Sequence, residues 1–183
     1  MARITLIEPQ TASLEVQNIY EHRLRGRPVN IHKAMANVPQ SLTPFIAMYA
    51  AVGRMWPPRM YELIYLRVSM LNRCEYCTQH HRASATRAGV TSQDLEALTD
   101  PQASSLSDAE KAVLAYVEKL TLAPWKIGDE DVARLKDFND AQVVDLHLLV
   151  ALANFTNRIT GPLALEVEPV VKAAIAEEKQ KQF

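Results

Sequence analysis

Glycine is scarce in this chain: five residues in 183, at positions 26, 53, 89, 128 and 161. They are too scattered to build the glycine-rich turn that cradles a phosphate, so neither a dinucleotide-binding nor a P-loop site is expected. Cysteine is scarcer still, and two residues exclude a disulfide scaffold. No charge sign dominates, because 20 Lys plus Arg stand against 21 Asp plus Glu without a long run of either. Gripping a nucleic-acid backbone needs a concentrated basic face, so no nucleic-acid partner is expected. Long apolar runs are missing too. The longest stretch free of charge and histidine, residues 34–53, holds Asn37, Pro39, Gln40, Ser41, Thr43 and Pro44. It reads as two helices and a turn rather than a membrane span. The first ten residues carry only a four-residue apolar stretch before Glu8 and Pro9, too little for a secretory signal. The expectation is a cytoplasmic protein with no membrane partner, in a compartment where thiols stay reduced.

What is present is helical pattern along nearly the whole chain. There is no convincing alternation of period two and no Asn-Gly or Asp-Gly turn. Apolar residues make up 48% and charged residues 22%, which suits one ordinary globular domain over 1–183. Thr11 or Ser13 caps a first helix with Leu14, Ile19 and Leu24 among its apolar positions, ended by Gly26. Pro28 and Asn30 open a short helix that Pro39 breaks; Ser41 with Pro44 starts the next, stopped by Gly53. Pro57 and Pro58 pre-set the first turn of an apolar helix over 60–71. A further helix spans roughly 74–88, and Thr91 caps a short one after it. Pro101 to Ser107 reads as a loop ending in the capping box Ser107-x-x-Glu110. Helices then follow over about 108–122, 129–138 and 140–159, with a charged C-terminal one from Pro169. The fold class is all-α, with about eight or nine helices.

A faint internal repeat runs through the two most apolar helices. Glu62 precedes Asn72-Arg73 by ten residues, and Asp145 precedes Asn157-Arg158 by twelve. Two buried helices of similar composition would look the same, so the repeat stays an open reading.

The chemistry concentrates in Arg73-Cys74-Glu75-Tyr76-Cys77-Thr78-Gln79-His80-His81. On a helix Cys74, Cys77 and His81 fall within an arc of about 60°. Residues three apart come near the separation a disulfide requires, and His81 follows Cys77 by one turn. A thiol, a second thiol and a base on one stripe suit redox chemistry. The thiolate is the nucleophile, and a helix N-terminus with a nearby base raises its fraction. The second sulfur then closes the disulfide. Two rivals stand beside this: a zinc site made by Cys74, Cys77, His81 and Glu62, and a pair of inert buried thiols.

Glu62, Cys74, Cys77 and His81 form the pattern E-x11-C-x2-C-x3-H. It resembles the active-site signature of the AhpD-like alkylhydroperoxidase family, within the carboxymuconolactone decarboxylase superfamily. Residues 41–98 are similar to the core of that family, and residues 106–159 to the companion helices of its peroxidase-related members. The resemblance implies a thiol peroxidase or disulfide reductase on an AhpD-like fold, assembled as a trimer or hexamer and needing no cofactor or metal. Its partners would be a peroxide and a dithiol or protein reductant. It implies that Cys77 is the peroxidatic thiol, Cys74 the resolving one, and His81 with Glu62 the proton relay. Some members carry a histidine where this chain has Tyr76, which alters part of that relay. Position alone would favour Cys74, nearer the helix start, as the attacking thiol; the resemblance and the spacing to His81 favour Cys77. A carboxymuconolactone decarboxylase-type lyase and a redox-sensing or zinc-binding helical oligomer are the alternatives. The intact cysteine pair argues against the lyase.

Outside the motif the expectations are plainer. His80 reads as a flank or interface residue, and His22, His32 and His147 as structural. Arg67 is expected to pair with a buried acid such as Asp145. Trp56 and Trp125, each beside proline, read as core plugs or pocket lining.

Overall fold

Helix α4, Pro58–Leu71, is the axis about which the rest is organised. Its Leu63, Ile64, Tyr65, Leu66, Val68 and Ser69 are all buried, so it presents apolar surface on nearly every side. Such a helix has to be covered all round. Helices α5 (Glu75–Arg87), α7 (Asp108–Leu122) and α9 (Asp140–Thr160) cover it. Leu63 and Leu66 pack with Ala85, Val90, Leu98 and Leu114 in one apolar cluster. Ile64, Tyr65 and Val68 join a larger one with Leu146, Leu149 and Ala153 of α9.

The computed structural model describes residues 1–99 and 105–180, the side chains of 177–180 excepted, so most of the expected loop over 101–107 lies outside the described residues. Among the described residues the regular structure is helical: ten α-helices and a 3-10 turn, rather than eight or nine, with no strand. The remaining helices are α1 (Leu14–Leu24), α2 (Asn30–Met35), α3 (Pro39–Ala51), α6 (Ser92–Ala97), α8 (Asp129–Ala133) and α10 (Pro169–Gln180). None of the described helices is long and apolar enough to cross a membrane.

Four helix starts follow from their capping residues. Ser13, Thr91, Ser107 and Asn139 each accept a backbone N–H from the first turn. Pro39 does not break a helix but opens α3, since proline at the first helical position gives up an N–H that would be orphaned anyway. In α1 the buried face is Val16 and Tyr20, whereas Leu14 is exposed. Trp56 is buried and plugs the core against Phe138; Trp125 is exposed.

Two long-range expectations resolve differently. Arg67 pairs with Glu118 of α7 at 2.5 Å and also donates to the Leu98 carbonyl, because α7 is the helix lying along that side of α4. Asp145 faces the turn after α3 instead, accepting the N–H groups of Gly53 at 2.9 Å and Met55 at 3.1 Å. The two helices of the proposed repeat pack on each other, and their asparagines meet: Asn72 Nδ2 donates to Asn157 Oδ1 at 2.9 Å. Their acids diverge in use, Asp145 capping a turn and Glu62 holding a histidine.

Candidate functional site

The turn between α4 and α5 places the cysteines. After Leu71 the chain closes with Arg73 N–H on the Met70 carbonyl and Cys74 N–H on the Ser69 carbonyl, a Schellman pattern. Its left-handed residue is Arg73, at φ 54°, where glycine is usual. One residue later Cys74 is the N-cap of α5, and Cys77 lies in the first turn. Both sulfurs therefore sit at the positive end of α5, which favours a thiolate.

Both cysteines are free and buried. Thr160, at the end of α9, touches both: its Oγ1 lies 3.0 Å from Cys74 Sγ and 3.3 Å from Cys77 Sγ. Thr156, one turn earlier, has its Oγ1 3.9 Å from Cys77 Sγ. The hydrogen bond from Cys77, working against burial and helped by Thr160, pulls the Cys74 thiol down to about 6. The same hydrogen bond to Cys74, together with burial, pushes Cys77 up. The pair thus gives up one proton readily and holds the second, its single negative charge shared between neighbouring sulfurs and a hydroxyl.

Glu62 and His81 do come together. His81 Nδ1 lies 2.8 Å from Glu62 Oε2, and both side chains are close to fully buried. The other ring nitrogen, Nε2, lies 3.3 Å from the Tyr49 hydroxyl, and the ring stacks on Tyr65 with centroids 3.6 Å apart and planes within 14°. Both nitrogens are thus directed to oxygen partners rather than to a sulfur. The connection from His81 toward Cys77 runs through that stack: Tyr65 Oη is 2.6 Å from Thr156 Oγ1, which neighbours Cys77. Burial pushes the phenols of Tyr49 and Tyr65 well up, so they remain un-ionised. The arrangement does not make a zinc site, and among the described residues no three Cys, His, Asp or Glu side chains converge to hold a metal ion.

Cys77 and His81 line a cavity of about 320 Å³. Its wall is aromatic and aliphatic, with Phe45, Tyr49, Tyr65, Tyr76 and Ile31 among the contributors, and carries two further histidines, His32 and His80. Such an enclosure suits a small organic molecule with a few polar contacts. His80 is no mere flank. Its Nε2 lies 2.6 Å from Glu168 Oε2, while Glu168 Oε1 accepts from Tyr76 Oη at 2.9 Å and from the Asn30 N–H at 2.5 Å. Burial alone would raise the Glu168 carboxyl, but the hydrogen bonds from His80 and the Asn30 N–H hold it down at about 2. His32, read as structural, accepts the Val29 N–H through Nδ1 and also forms part of the cavity wall. His147, by contrast, binds Tyr116 at 2.8 Å away from this cavity.

Sequence reading missed Thr156, Thr160, Tyr49, Tyr65 and Glu168. The one usable signal was the threonine pair at one-turn spacing beside Asn157-Arg158, in the segment that already looked like a copy of α4.

Comparison with known proteins follows the same lines. The carboxymuconolactone decarboxylase family matches residues 39–119. An uncharacterized Bacillus subtilis protein, YdfG, is 36% identical over 102 residues, which are 54% of this chain and 69% of that protein. Among solved structures, a peroxidase-related protein from Ralstonia eutropha JMP134, described as an alkylhydroperoxidase AhpD core, superposes with a TM-score of 0.81. It is 18% identical, over 93% of this chain and 94% of that one. The debrominase Bmp8 in complex with 2,3,4-tribromopyrrole gives 0.73 at 21% identity, over 97% of this chain and 99% of that one. At these identities the likeness is one of fold.

Proposed function

The chain belongs to the carboxymuconolactone decarboxylase family and has the AhpD-like fold, and from that premise we propose that it is a thiol oxidoreductase that reduces a peroxide through Cys77 and Cys74. The observation that carries this reading is positional: Cys77 lines the cavity, and Cys74 stands one turn earlier at the helix cap, with Thr160 in contact with both. At rest the pair's remaining proton lies on Cys77, the less acidic sulfur; it passes to Cys74, directly or through Thr160, and Cys77 then attacks as the thiolate. The sulfur takes the terminal oxygen of the peroxide. An S–O bond forms, the O–O bond breaks, and the alcohol departs after protonation. The Cys74 thiol then displaces the oxygen of the Cys77 sulfenic acid as water, leaving a disulfide. A dithiol, small or borne by a protein, returns the pair to thiols by exchange. His81, held by Glu62, acts on the molecule in the cavity rather than on the sulfur, because it lines the cavity and neither of its nitrogens contacts a thiol.

A second reading uses the same sulfurs. The aromatic lining, together with the debrominase of the same fold, supports reductive removal of a halogen from an aromatic ring. There the two thiols are oxidised to the disulfide while the carbon–halogen bond becomes carbon–hydrogen and halide leaves. The proposed assembly is a homo-oligomer, trimer or hexamer. Exposed Val144, Leu148 and Phe155 on α9 and Met48 on α3 support it by offering apolar surface to a second copy.

Peroxide consumption with a panel of dithiol reductants, run beside bromopyrrole turnover, tests both readings. Cys77→Ser should abolish reaction. Cys74→Ser should allow one attack and leave a sulfenic acid that dimedone labels. The reverse pattern reassigns the sulfurs, and no turnover of either substrate class removes the enzyme reading. Sedimentation as a 20.5 kDa species alone at micromolar concentration overturns the oligomer.

A further inference from the structure

Two imidazoles on the cavity wall, His81 and His80, are each paired with a carboxylate, and only the His81–Glu62 pair belongs to the sequence motif. The second, His80 with Glu168, is assembled from α5 and the segment that leads into α10. Hydrogen bonds from Asn30 N–H to Glu168 Oε1 and from Asn30 Nδ2 to the Glu166 carbonyl, at 2.5 and 2.8 Å, tie that segment to the start of α2. His80 follows Cys77 by three residues, so the two share a helical face and both line the cavity. Glu168 occupies His80 Nε2, and among the described residues Nδ1 has no protein partner.

We propose that His80, oriented and charge-compensated by Glu168, is the proton donor to the atom that departs when Cys77 attacks, which fits the cavity to substrates with a strongly basic leaving group. The inference rests on the thiol-peroxidase reading above. For a hydroperoxide ROOH, Cys77 S⁻ bonds to the terminal oxygen and is oxidised by two electrons as the O–O bond breaks. The departing RO⁻ takes the proton from His80 Nδ1 and leaves as ROH. His80, now neutral, recovers a proton from solvent.

The neighbours leave the leaving-group proton to His80: His81, on the same wall, has both ring nitrogens engaged, by Glu62 and by the Tyr49 hydroxyl. From α2, His32 faces it; burial pushes that imidazole down to about 4 against the pull of Glu168, so it is neutral at neutral pH. From α5 itself, Tyr76 lies 4.5 Å away between ring centroids, and burial beside Glu168 holds its phenol un-ionised. Cys77 contributes the attacking sulfur. From the segment before α10, Glu168 supplies the anion, 12% exposed and held by three donors, that a protonated His80 needs as counter-charge. Tyr76 spends its hydroxyl on fixing the carboxylate behind His80.

Two oxidants that differ in their leaving group test this. tert-Butyl hydroperoxide expels an alkoxide, which needs a proton; peracetic acid expels acetate, which does not. Single-turnover oxidation of the reduced protein by each is compared for wild type, His80→Asn and Glu168→Gln. Both variants should lose about a hundredfold in rate with tert-butyl hydroperoxide, the usual size of general-acid help, and stay within about twofold with peracetic acid. Equal losses with both oxidants, or no loss with either, overturn the proposal. Should Glu168→Gln fail to fold, His80→Asn carries the same comparison. Wild type that reacts with peracetic acid but not with tert-butyl hydroperoxide also overturns it while leaving the thiol reading standing. Wild type inert to both removes the thiol reading itself.

Discussion

Thr160 Oγ1 lies 3.0 Å from Cys74 Sγ although the two residues are 86 positions apart, so the acidity of the thiol pair depends on the last turn of a distant helix. The hydroxyl has one proton and several claims on it. It donates to the Thr156 carbonyl at 2.9 Å while the sulfurs carry their protons, and it can rotate to donate to a sulfur once one is ionised. A threonine there stabilises the anion without supplying a charge.

Thr160→Val keeps the shape and removes the hydroxyl. The first ionisation of the pair, held at about 6 at Cys74, should then rise. One pKa unit is tenfold in thiolate, so alkylation by iodoacetamide below neutral pH should slow by about tenfold, with the rate recovering at higher pH. Thr160→Ser should restore the profile. An unchanged profile in the valine variant means the hydroxyl does not tune the sulfurs.

His81 gives a contrasting outcome, because its nitrogens reach Glu62 and Tyr49 rather than a thiol. His81→Asn and Glu62→Gln should slow reaction with peroxide by about a hundredfold, the lower end of general acid–base help. The pH profile of iodoacetamide alkylation should stay where it is in wild type. A parallel shift in alkylation would place His81 in charge of the thiol proton after all.

This division explains what the sequence made legible. Glu62, Cys74, Cys77 and His81 lie within twenty residues on two consecutive helices, so spacing alone brings Glu62 to His81 and both sulfurs to the start of α5. Thr156, Thr160 and Glu168 reach the same place only because α9 and the segment after it fold back on α4 and α5, and no local pattern encodes that return. Arg67 makes the same point. That it would pair with an acid followed from its apolar helix, but the choice of Glu118 over Asp145 depended on which helix packs alongside. Helix starts were legible where capping chemistry is local, as at Ser107 and Thr91, and misread at Pro39, which serves equally as a breaker or a first residue.

Gly53 supports the site from below the aromatic stack. Its φ is 79°, and a Cβ there would stand 2.5 Å from two ring carbons of Tyr61, whose ring packs against Tyr65 and His81. Gly53→Ala combines a left-handed backbone penalty with overpacking and should cost about 2–4 kcal/mol. Urea unfolding measures this directly. A loss below about 0.5 kcal/mol, the scale of an inconsequential surface change, would mean that the turn and Tyr61 relax freely.

Acid stability is the last consequence. Glu168 sits at about 2 in the folded protein against an ordinary 4.5, and Asp94 and Glu110 are also held down, in both cases against burial, by Arg59 and by their own helix caps. A carboxylate whose folded pKa is depressed adds stability that is complete above its unfolded pKa and is lost as pH falls through the folded value. The urea midpoint should therefore hold steady down to about pH 5 and fall steeply over the two to three units below, the window between unfolded and folded carboxyl pKa values. In Glu168→Gln the amide cannot titrate, so the midpoint should start lower at neutral pH and decline less on acidification, the two curves converging near pH 2. Parallel curves for wild type and variant across that window would mean that Glu168 does not bind its proton differently in the folded and unfolded states. The bonds from His80, Tyr76 and Asn30 would then favour the ionised and the protonated carboxyl equally.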